Sequence, residues 1–167
     1  ITKIDMWFLK QYEELHMLQK EISTFKIDTI QKDLLLEAKQ KGYKFINYIH
    51  PSVVMHGELE FGENNIILDH ASLHPYTKIG DGNFISSNVN IGHGCQLGNS
   101  NWINAGVSIG GESVIEDNVF LGINSSISHG LVIKSESFIG GGTLVNRDTE
   151  LGGVYLTSSG EKHRLGS

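Results

Sequence analysis

The sequence predicts a mainly β protein, a single-stranded parallel β-helix of about five coils, and three observations support this. Every sixth residue from Ile79 to Val145 is aliphatic, with no insertion or deletion between them. The same register extends backward to Met55. The residue four positions after each aliphatic one is mostly small, as at Ala71, Thr77, Val89, Cys95, Val107, Ser113, Ser125, Ser137 and Thr143. A period of six fits neither an α-helix nor a flat strand, and is typical of β-helix hexads.

Each predicted hexad supplies one short strand and one corner, with the aliphatic residue pointing inward. Three hexads make one triangular coil, so residues 18 apart in sequence stack on neighbouring coils. Neighbouring coils in such a sheet lie about 4.8 Å apart. Sequence spacing therefore predicts which corner residues are neighbours in space.

The glycine content marks the predicted domain boundary. Gly42 is the only glycine among the first fifty residues, and nineteen follow it. Residues 1–44 are predicted as a helical segment with helices over 3–22 and 28–41, the second ending at Gly42. Residues 45–157 are predicted as the β-helix, with flanking strands over 43–49 and 154–156. Residues 158–167 are predicted as a polar C-terminal tail.

Charge and composition disfavour several classes of partner. Residues 1–44 hold eight Lys and seven acids, whereas residues 45–167 hold five Lys or Arg and twelve acids. An acidic β-helix disfavours a nucleic-acid partner, because phosphate binding needs a basic face. No apolar run approaches the ~18–20 residues of a membrane span. The single cysteine, Cys95, excludes an internal disulfide and fits a reducing compartment, so a cytoplasmic location is expected.

His93 is the strongest candidate for chemistry, because of its neighbours at spacings of 18. The next coil places Gly111 at the same corner, and the coil after that places His129 there. An imidazole can take a proton from an amine or hydroxyl, and a bare glycine N–H can hold a thioester oxygen. This pairing suits acyl transfer, although a corner histidine can also simply fill a turn. His129 is expected to contribute little, because two coil spacings put its Cα about 9–10 Å from that of His93.

Three stretches carry a resemblance to a known family: Ile91–His93, Phe120–Ser125 and Ile139–Val145. Residues 50–157 resemble the hexapeptide-repeat acyltransferases, and most closely the nucleotide-sugar acetyltransferases grouped with sialic-acid O-acetyltransferases and UDP-4-amino-sugar N-acetyltransferases. The resemblance implies a left-handed β-helix and a homotrimer, with acetyl-CoA lying in the groove between subunits. It implies transfer of an acetyl group to an amine or hydroxyl of a sugar or nucleotide-linked sugar. No metal is expected.

The resemblance also implies roles for individual residues. His93 matches the general base and Gly111 matches the donor to the thioester oxygen. Further cofactor contacts match Ile123 and Gly141, which are 18 apart and predicted to stack on one corner.

Charge and position suggest the remaining candidates. Because the β-helix is acidic overall, Arg147 and Arg164 are expected to meet the phosphates of the cofactor. Trp102 stands where some members of the family carry a second histidine that touches the acetyl group, so it is a candidate for substrate binding. His70 and His74 are further substrate-binding candidates, since either could reach the site from another subunit.

The sequence departs from the family at several places, and two other protein classes stay open. Besides Trp102, Thr157–Gly160 replaces the G-N-P-A-like turn of the family. Gly94 follows the base where many members have Glu, Asp or His, and residues 1–44 lack the G-x-G-x-x-G of a Rossmann-like sugar-binding domain. Residues 1–44 resemble at most a remnant of that domain. One alternative is a non-catalytic structural or assembly β-helix. The other is a zinc protein like the γ-class carbonic anhydrases. That class has a second histidine five residues after the first, and the residue five after His93 is Gly98, so this alternative is disfavoured.

Overall fold

The structure is a computed structural model that describes residues 37, 40–43 and 45–156. In this part the chain winds as a parallel β-solenoid of about six turns, built from short strands. The strands are β1 Tyr48–Ile49, β2 Val54–Met55, β3 Leu59–Phe61, β4 Ile66–Ile67, β5 Ser72–Leu73, β6 Thr77–Ile79, β7 Phe84–Ile85, β8 Asn90–Ile91, β9 Gln96–Leu97, β10 Trp102–Ile103, β11 Ser108–Ile109, β12 Val114–Ile115, β13 Phe120–Leu121, β14 Ser126–Ile127, β15 Val132–Ile133, β16 Phe138–Ile139, β17 Leu144–Val145 and β18 Val154–Tyr155.

The strands form three parallel sheets along the sides of the solenoid. Sheet A has 7 strands, β1, β4, β7, β10, β13, β16 and β18; sheet B has 6, β2, β5, β8, β11, β14 and β17; sheet C has 5, β3, β6, β9, β12 and β15. Ile91 pairs with Ile109, and Ile109 pairs with Ile127, so the predicted register of 18 is confirmed. We call the connections between the sheets corner AB, corner BC and corner CA, in chain order.

The aliphatic repeat forms the core. Every hexad residue from Ile67 to Val145 is buried, and so are the small residues predicted to fit beside them, including Cys95. Met55, predicted to point inward, is 51% exposed. It lies on β2, the edge strand of sheet B, so no strand of that sheet packs on its other side.

A ladder of asparagines pairs with buried backbone amides inside corner CA. Asn65, Asn83 and Asn101 are spaced by 18 residues and are almost fully buried. The side-chain Oδ1 of Asn65 accepts the N–H of Asn83, and that of Asn83 accepts the N–H of Asn101. A buried backbone amide without a hydrogen-bond partner destabilises the fold. The ladder therefore explains why asparagines stand at three positions where the repeat otherwise has mostly small residues.

Several predictions need correction. The solenoid has about six turns rather than five, because Tyr48–Ile49 and Val154–Tyr155 both join sheet A. Of the strand predicted over 43–49, only Tyr48–Ile49 forms, whereas the strand predicted over 154–156 is present as Val154–Tyr155. Phe138 pairs with Val154, a spacing of 16, because the last turn is shorter than a full coil.

Other predictions concern residues outside the described part of the chain. These are most of the two N-terminal helices and the tail over 158–167. Gly42, which is described, has a φ of 80°, the conformation expected of a residue that follows a helix. The left-handed winding stays a prediction. Among the described residues no helix has both the length and the apolarity needed to cross a membrane.

Candidate functional site

Corner BC gathers four of the polar and glycine positions singled out by the spacing of 18. Ile91, Ile109, Ile127 and Val145 are paired in sheet B, and the second residue after each is His93, Gly111, His129 and Arg147. We call these four residues the BC column. All are at least partly exposed, so the column lines the outside of the solenoid.

The ring of His93 lies against the backbone of Gly111. A Cβ placed on Gly111 would lie 2.8 Å from Nε2 of His93 and 3.0 Å from Cδ2 and Cε1. These distances are shorter than a carbon–nitrogen or carbon–carbon contact allows, so glycine is needed for the ring to take this position. The adjacent Gly92 has the same kind of role, since its Cβ would lie 2.5 Å from the Gly111 nitrogen.

The N–H of Gly111 donates no hydrogen bond within the part of the chain that the structure describes. At corner CA the equivalent amides are occupied: the N–H groups of Glu63, Asp81 and Asn99 donate to the side chains of residues on the next turn. An N–H at a partly exposed corner, beside an imidazole, is available to a ligand oxygen. The structure thus pairs a base with a donor at Gly111, as the spacing predicts.

The ring of His129 lies closer to that of His93 than the Cα spacing of two turns suggests. The ring centroids of His93 and His129 are 6.3 Å apart, with an angle of 52° between the rings. Nε2 of His129 lies 3.6 Å from a carboxylate oxygen of Glu112. Cα spacing overestimates the separation of two side chains that lean toward each other. The sequence could have placed Arg147 in the BC column, since Arg147 follows His129 by 18 residues.

The structure places Ile123 and Gly141 on a different corner. Both lie at corner AB, and a Cβ on Gly141 would be 3.2 Å from Cγ2 of Ile123, so these two residues stack as predicted. Neither N–H donates a hydrogen bond among the described residues. Within one chain, however, a side of the solenoid separates them from His93 and Gly111.

His70 and His74 also lie at different corners. His70 is at corner AB, where its Nδ1 is 3.0 Å from Asp69. The Ser87 hydroxyl donates to Asp69 at 2.5 Å, and together with His70 it lowers the pKa of that carboxyl to about 2. His74 is at corner BC, directly after β5 and on the turn before His93. Its ring centroid is 5.1 Å from that of His56, with an angle of 34° between the rings.

Trp102 lies on the outer face of sheet A and stacks on Phe84 at 4.3 Å, with 9% of its surface exposed. Corner BC is opposite sheet A, so Trp102 and His93 of the same chain do not meet. Cys95 points inward, and its thiol donates to the Gly110 carbonyl at 3.3 Å. Burial raises the pKa of this thiol, which disfavours it as a nucleophile. Arg164 lies outside the described residues.

An open groove of about 510 Å³ follows the outer face of sheet C, and it does not include His93 or Gly111. Its polar lining includes Lys78, which pairs with Glu60 at 2.9 Å, and Gln96. The BC column therefore lies outside this groove, at a corner where all four of its residues are at least partly exposed. Among the described residues, no three His, Cys, Asp or Glu side chains meet in a way that could hold a metal ion.

Three solved structures that share this fold are described as acyltransferases or as an acetyltransferase domain. The chain aligns with the acetyltransferase domain of PglB from Neisseria gonorrhoeae at a TM-score of 0.79 and 18% identity, covering 81% of this chain and 66% of that one. A mutant of GDP-perosamine N-acetyltransferase from Caulobacter crescentus, in complex with CoA and GDP-perosamine, aligns at 0.66 and 21%, covering 82% and 65%. AntD, an N-acyltransferase from Bacillus cereus, in complex with dTDP-4-amino-4,6-dideoxyglucose and coenzyme A, aligns at 0.67 and 16%, covering 78% and 88%. The chain has the β-helix fold of these acyltransferases.

The N-terminal segment is similar to a different protein. Residues 1–46 match the family described as carbamoyl-phosphate synthetase large chain, oligomerisation domain. The carbamoyl phosphate synthase large chain of Pseudomonas putida is 42% identical over 43 residues, which is 26% of this chain and 4% of that protein. The match therefore ends where the solenoid begins. The prediction that residues 1–44 are a helical segment derived from a sugar-binding domain stays a prediction.

Proposed function

We propose that this chain is an acetyl-CoA-dependent acyltransferase that moves an acetyl group to an amine or hydroxyl of a sugar or nucleotide-linked sugar. The observation that carries the proposal is the position of the His93 ring against Gly111, whose N–H has no partner in the described part of the chain. His93 would take the proton of the acceptor as it attacks the thioester carbonyl. The Gly111 N–H would hold the oxygen as negative charge develops on it. The structures of similar fold that hold coenzyme A with a nucleotide sugar support the substrate class.

The separation of the two corners supports a site between subunits. An acyl donor could touch His93 and Gly111 at corner BC, and also Ile123 and Gly141 at corner AB, if two copies of the chain present these corners to each other. A homotrimer would do this for each of three sites. In such an assembly His70, His74 or Trp102 of a neighbouring copy could approach the acceptor. The carbamoyl phosphate synthase chemistry is not part of the proposal, because that match covers 4% of the relative and stops at residue 46.

The test is acetyl transfer to a panel of nucleotide-linked amino and hydroxy sugars, followed by release of the coenzyme A thiol. His93→Ala should lower turnover by about 10²–10⁴-fold, because the general base is lost. Its affinity for coenzyme A, measured by calorimetry, should stay close to that of the wild type, because His93 would meet the acceptor. His56→Ala removes an exposed histidine from the same corner and should leave turnover unchanged.

Full activity of His93→Ala on a good substrate would show that the base is another residue. Coenzyme A binding distinguishes the wider alternatives. A chain that fails to bind coenzyme A would favour a non-catalytic structural or assembly role. One tightly bound zinc per subunit would favour the carbonic-anhydrase-like class.

A second prediction concerns the phosphates of the donor. Arg147 is exposed at the end of the BC column, in a solenoid whose net charge is negative. Arg147→Ala should weaken coenzyme A binding by a few fold and make the affinity less sensitive to salt, because one charge pair is lost. Arg164→Ala is expected to do the same. Lys78→Ala, on the outer face of sheet C, is the control and should change neither property. Unchanged affinity in both arginine variants would show that these arginines do not pair with the phosphates of coenzyme A.

A further inference from the structure

We propose that His129, oriented by Glu112, is a second catalytic residue that protonates the sulfur of the departing coenzyme A. The inference deepens the proposed function and rests on it. It assigns a chemical role to a residue that sequence spacing alone had set aside.

His129 and His93 flank the position proposed for the thioester. His93 and His129 lie on the turns before and after Gly111, with ring centroids 6.3 Å apart. A group held on the Gly111 N–H would therefore have one imidazole on each side. Direct contact between the rings is excluded by this distance, and the gap is wide enough for a single bridging atom that hydrogen-bonds to both.

The proposed donor would run along the BC column toward Arg147. Arg147 is one turn beyond His129, at the end of the column away from His93. If Arg147 meets the phosphates and Gly111 holds the thioester oxygen, the arm of coenzyme A runs past His129. The sulfur joins the acetyl group to that arm, so it lies on the His129 side of the carbonyl. The acceptor then approaches from the His93 side.

Glu112 lies beside His129. Its carboxylate is 3.6 Å from Nε2 of His129, and no hydrogen bond of Nδ1 is found among the described residues, so Nδ1 can serve the ligand. Glu112 also has a φ of 59°, in the left-handed region that disfavours a glutamate, whereas Gly94 and Gly130 occupy the same position on the turns before and after.

The proposed step balances in atoms and electrons. The acceptor nitrogen or oxygen forms a bond to the acetyl carbonyl carbon and gives its proton to His93. The carbon–sulfur bond breaks and its electron pair stays on the sulfur. The protonated His129 gives its proton to that sulfur, which leaves as the thiol of coenzyme A. His93 then releases its proton to water and His129 takes one from water.

The test compares two small donors that differ in the acidity of the leaving thiol, S-acetyl-N-acetylcysteamine and the S-acetyl ester of thionitrobenzoate. An acidic aryl thiol leaves without help, whereas an alkyl thiol benefits from a proton. His129→Ala should slow transfer from acetyl-CoA and from the cysteamine ester by at least about 10²-fold. It should leave transfer from the thionitrobenzoate ester close to the wild-type rate. His56→Ala is the matched control and should affect none of these donors.

A second pair of variants tests Glu112. Glu112→Gly should raise the melting temperature, because glycine accepts the left-handed conformation, and should slow transfer from the cysteamine ester more than from the thionitrobenzoate ester. Glu136→Gly is matched, because Glu136 has a φ of 62° at corner CA, and it should raise the melting temperature with no change of rate.

Binding supplies a readout that does not depend on turnover. Coenzyme A should bind the wild type more tightly than desulfo-coenzyme A, and His129→Ala should abolish this difference. Equal loss of rate with both small donors, or no loss in His129→Ala beside an active wild type, would overturn the role of His129 alone. A wild type that transfers acetyl groups to no acceptor would overturn the proposed function and this inference with it.

Discussion

Gly111 is a position where the proposed chemistry and the fold make different demands on one side chain. A Cβ at this position would press on the far end of the His93 ring and on nothing else within 3.0 Å. An exposed imidazole can rotate away with little loss of folding stability. If His93 is the general base, the same movement would reduce the reaction rate, since a shift of about 1 Å can lower rates by about 10²-fold.

Gly111→Ala should therefore fold normally and lose activity. We expect a melting temperature within a few degrees of the wild type and a fall in turnover of about 10²-fold. Gly111→Val should also weaken coenzyme A binding, because a larger side chain crowds the thioester. The measurements are thermal unfolding followed by circular dichroism, acetyl-transfer kinetics and calorimetry. An alanine variant with full turnover would show that the His93 position against Gly111 is not the catalytic one.

Residue spacing predicts which backbone positions stack, but it does not predict the distances between their side chains. Intervals of 18 residues correctly placed Gly111 beside His93, since backbone stacking follows directly from the repeat. They gave no account of the 6.3 Å between His93 and His129 or of the contact of Glu112 with His129. Side-chain torsions set those distances, and the repeat does not specify them.

At the scale of the elements, each two-residue strand presents one side chain to the core and the other to the outside. β11 is an example: Ser108 is exposed and Ile109 is 1% exposed. Alternation along the strand follows from the period of two within each hexad, so this pattern was predictable from sequence. The two-residue strands of the three sheets were predictable for the same reason, whereas the shorter last turn was not, because Asn146–Thr149 leaves the hexad pattern.

The strand β11 provides a matched test of the register. Ile109→Asp should destabilise the protein by more than about 3 kcal/mol, because it places an unpaired charge in the core. Ser108→Asp changes the neighbouring residue to the same side chain on the outer face and should cost little. Soluble yield and urea unfolding are the measurements. Equal stability of the two variants would mean that the register is wrong at this strand.

At the scale of the whole molecule, the position of the candidate residues on separate corners makes assembly the central question. Corner BC holds His93 and Gly111, corner AB holds Ile123 and Gly141, and one chain cannot bring them together. We expect the full chain to be a trimer in solution, with a mass close to three times 18.4 kDa.

Light scattering coupled to size-exclusion chromatography at micromolar concentration tests this expectation. A mixing experiment gives a sharper version of it, because an active site shared by two copies can be restored from two inactive ones. His93→Ala and Gly141→Val chains, refolded together, should recover part of the activity that each lacks alone. A monomer of 18.4 kDa, or no recovery after mixing, would count against a site between subunits.

The sequence by itself determined the solenoid, its register and the core, because a repeat of six in a parallel β-helix permits one inward residue per strand and one alignment of turns. It also identified His93 with Gly111 as neighbours, through the spacing of 18. Only the tertiary structure decided that His129 and Glu112 approach this pair and that the Gly111 N–H is left unpaired among the described residues. These features depend on how side chains turn and how corner amides are satisfied, and a periodic pattern of residue types carries no information about either.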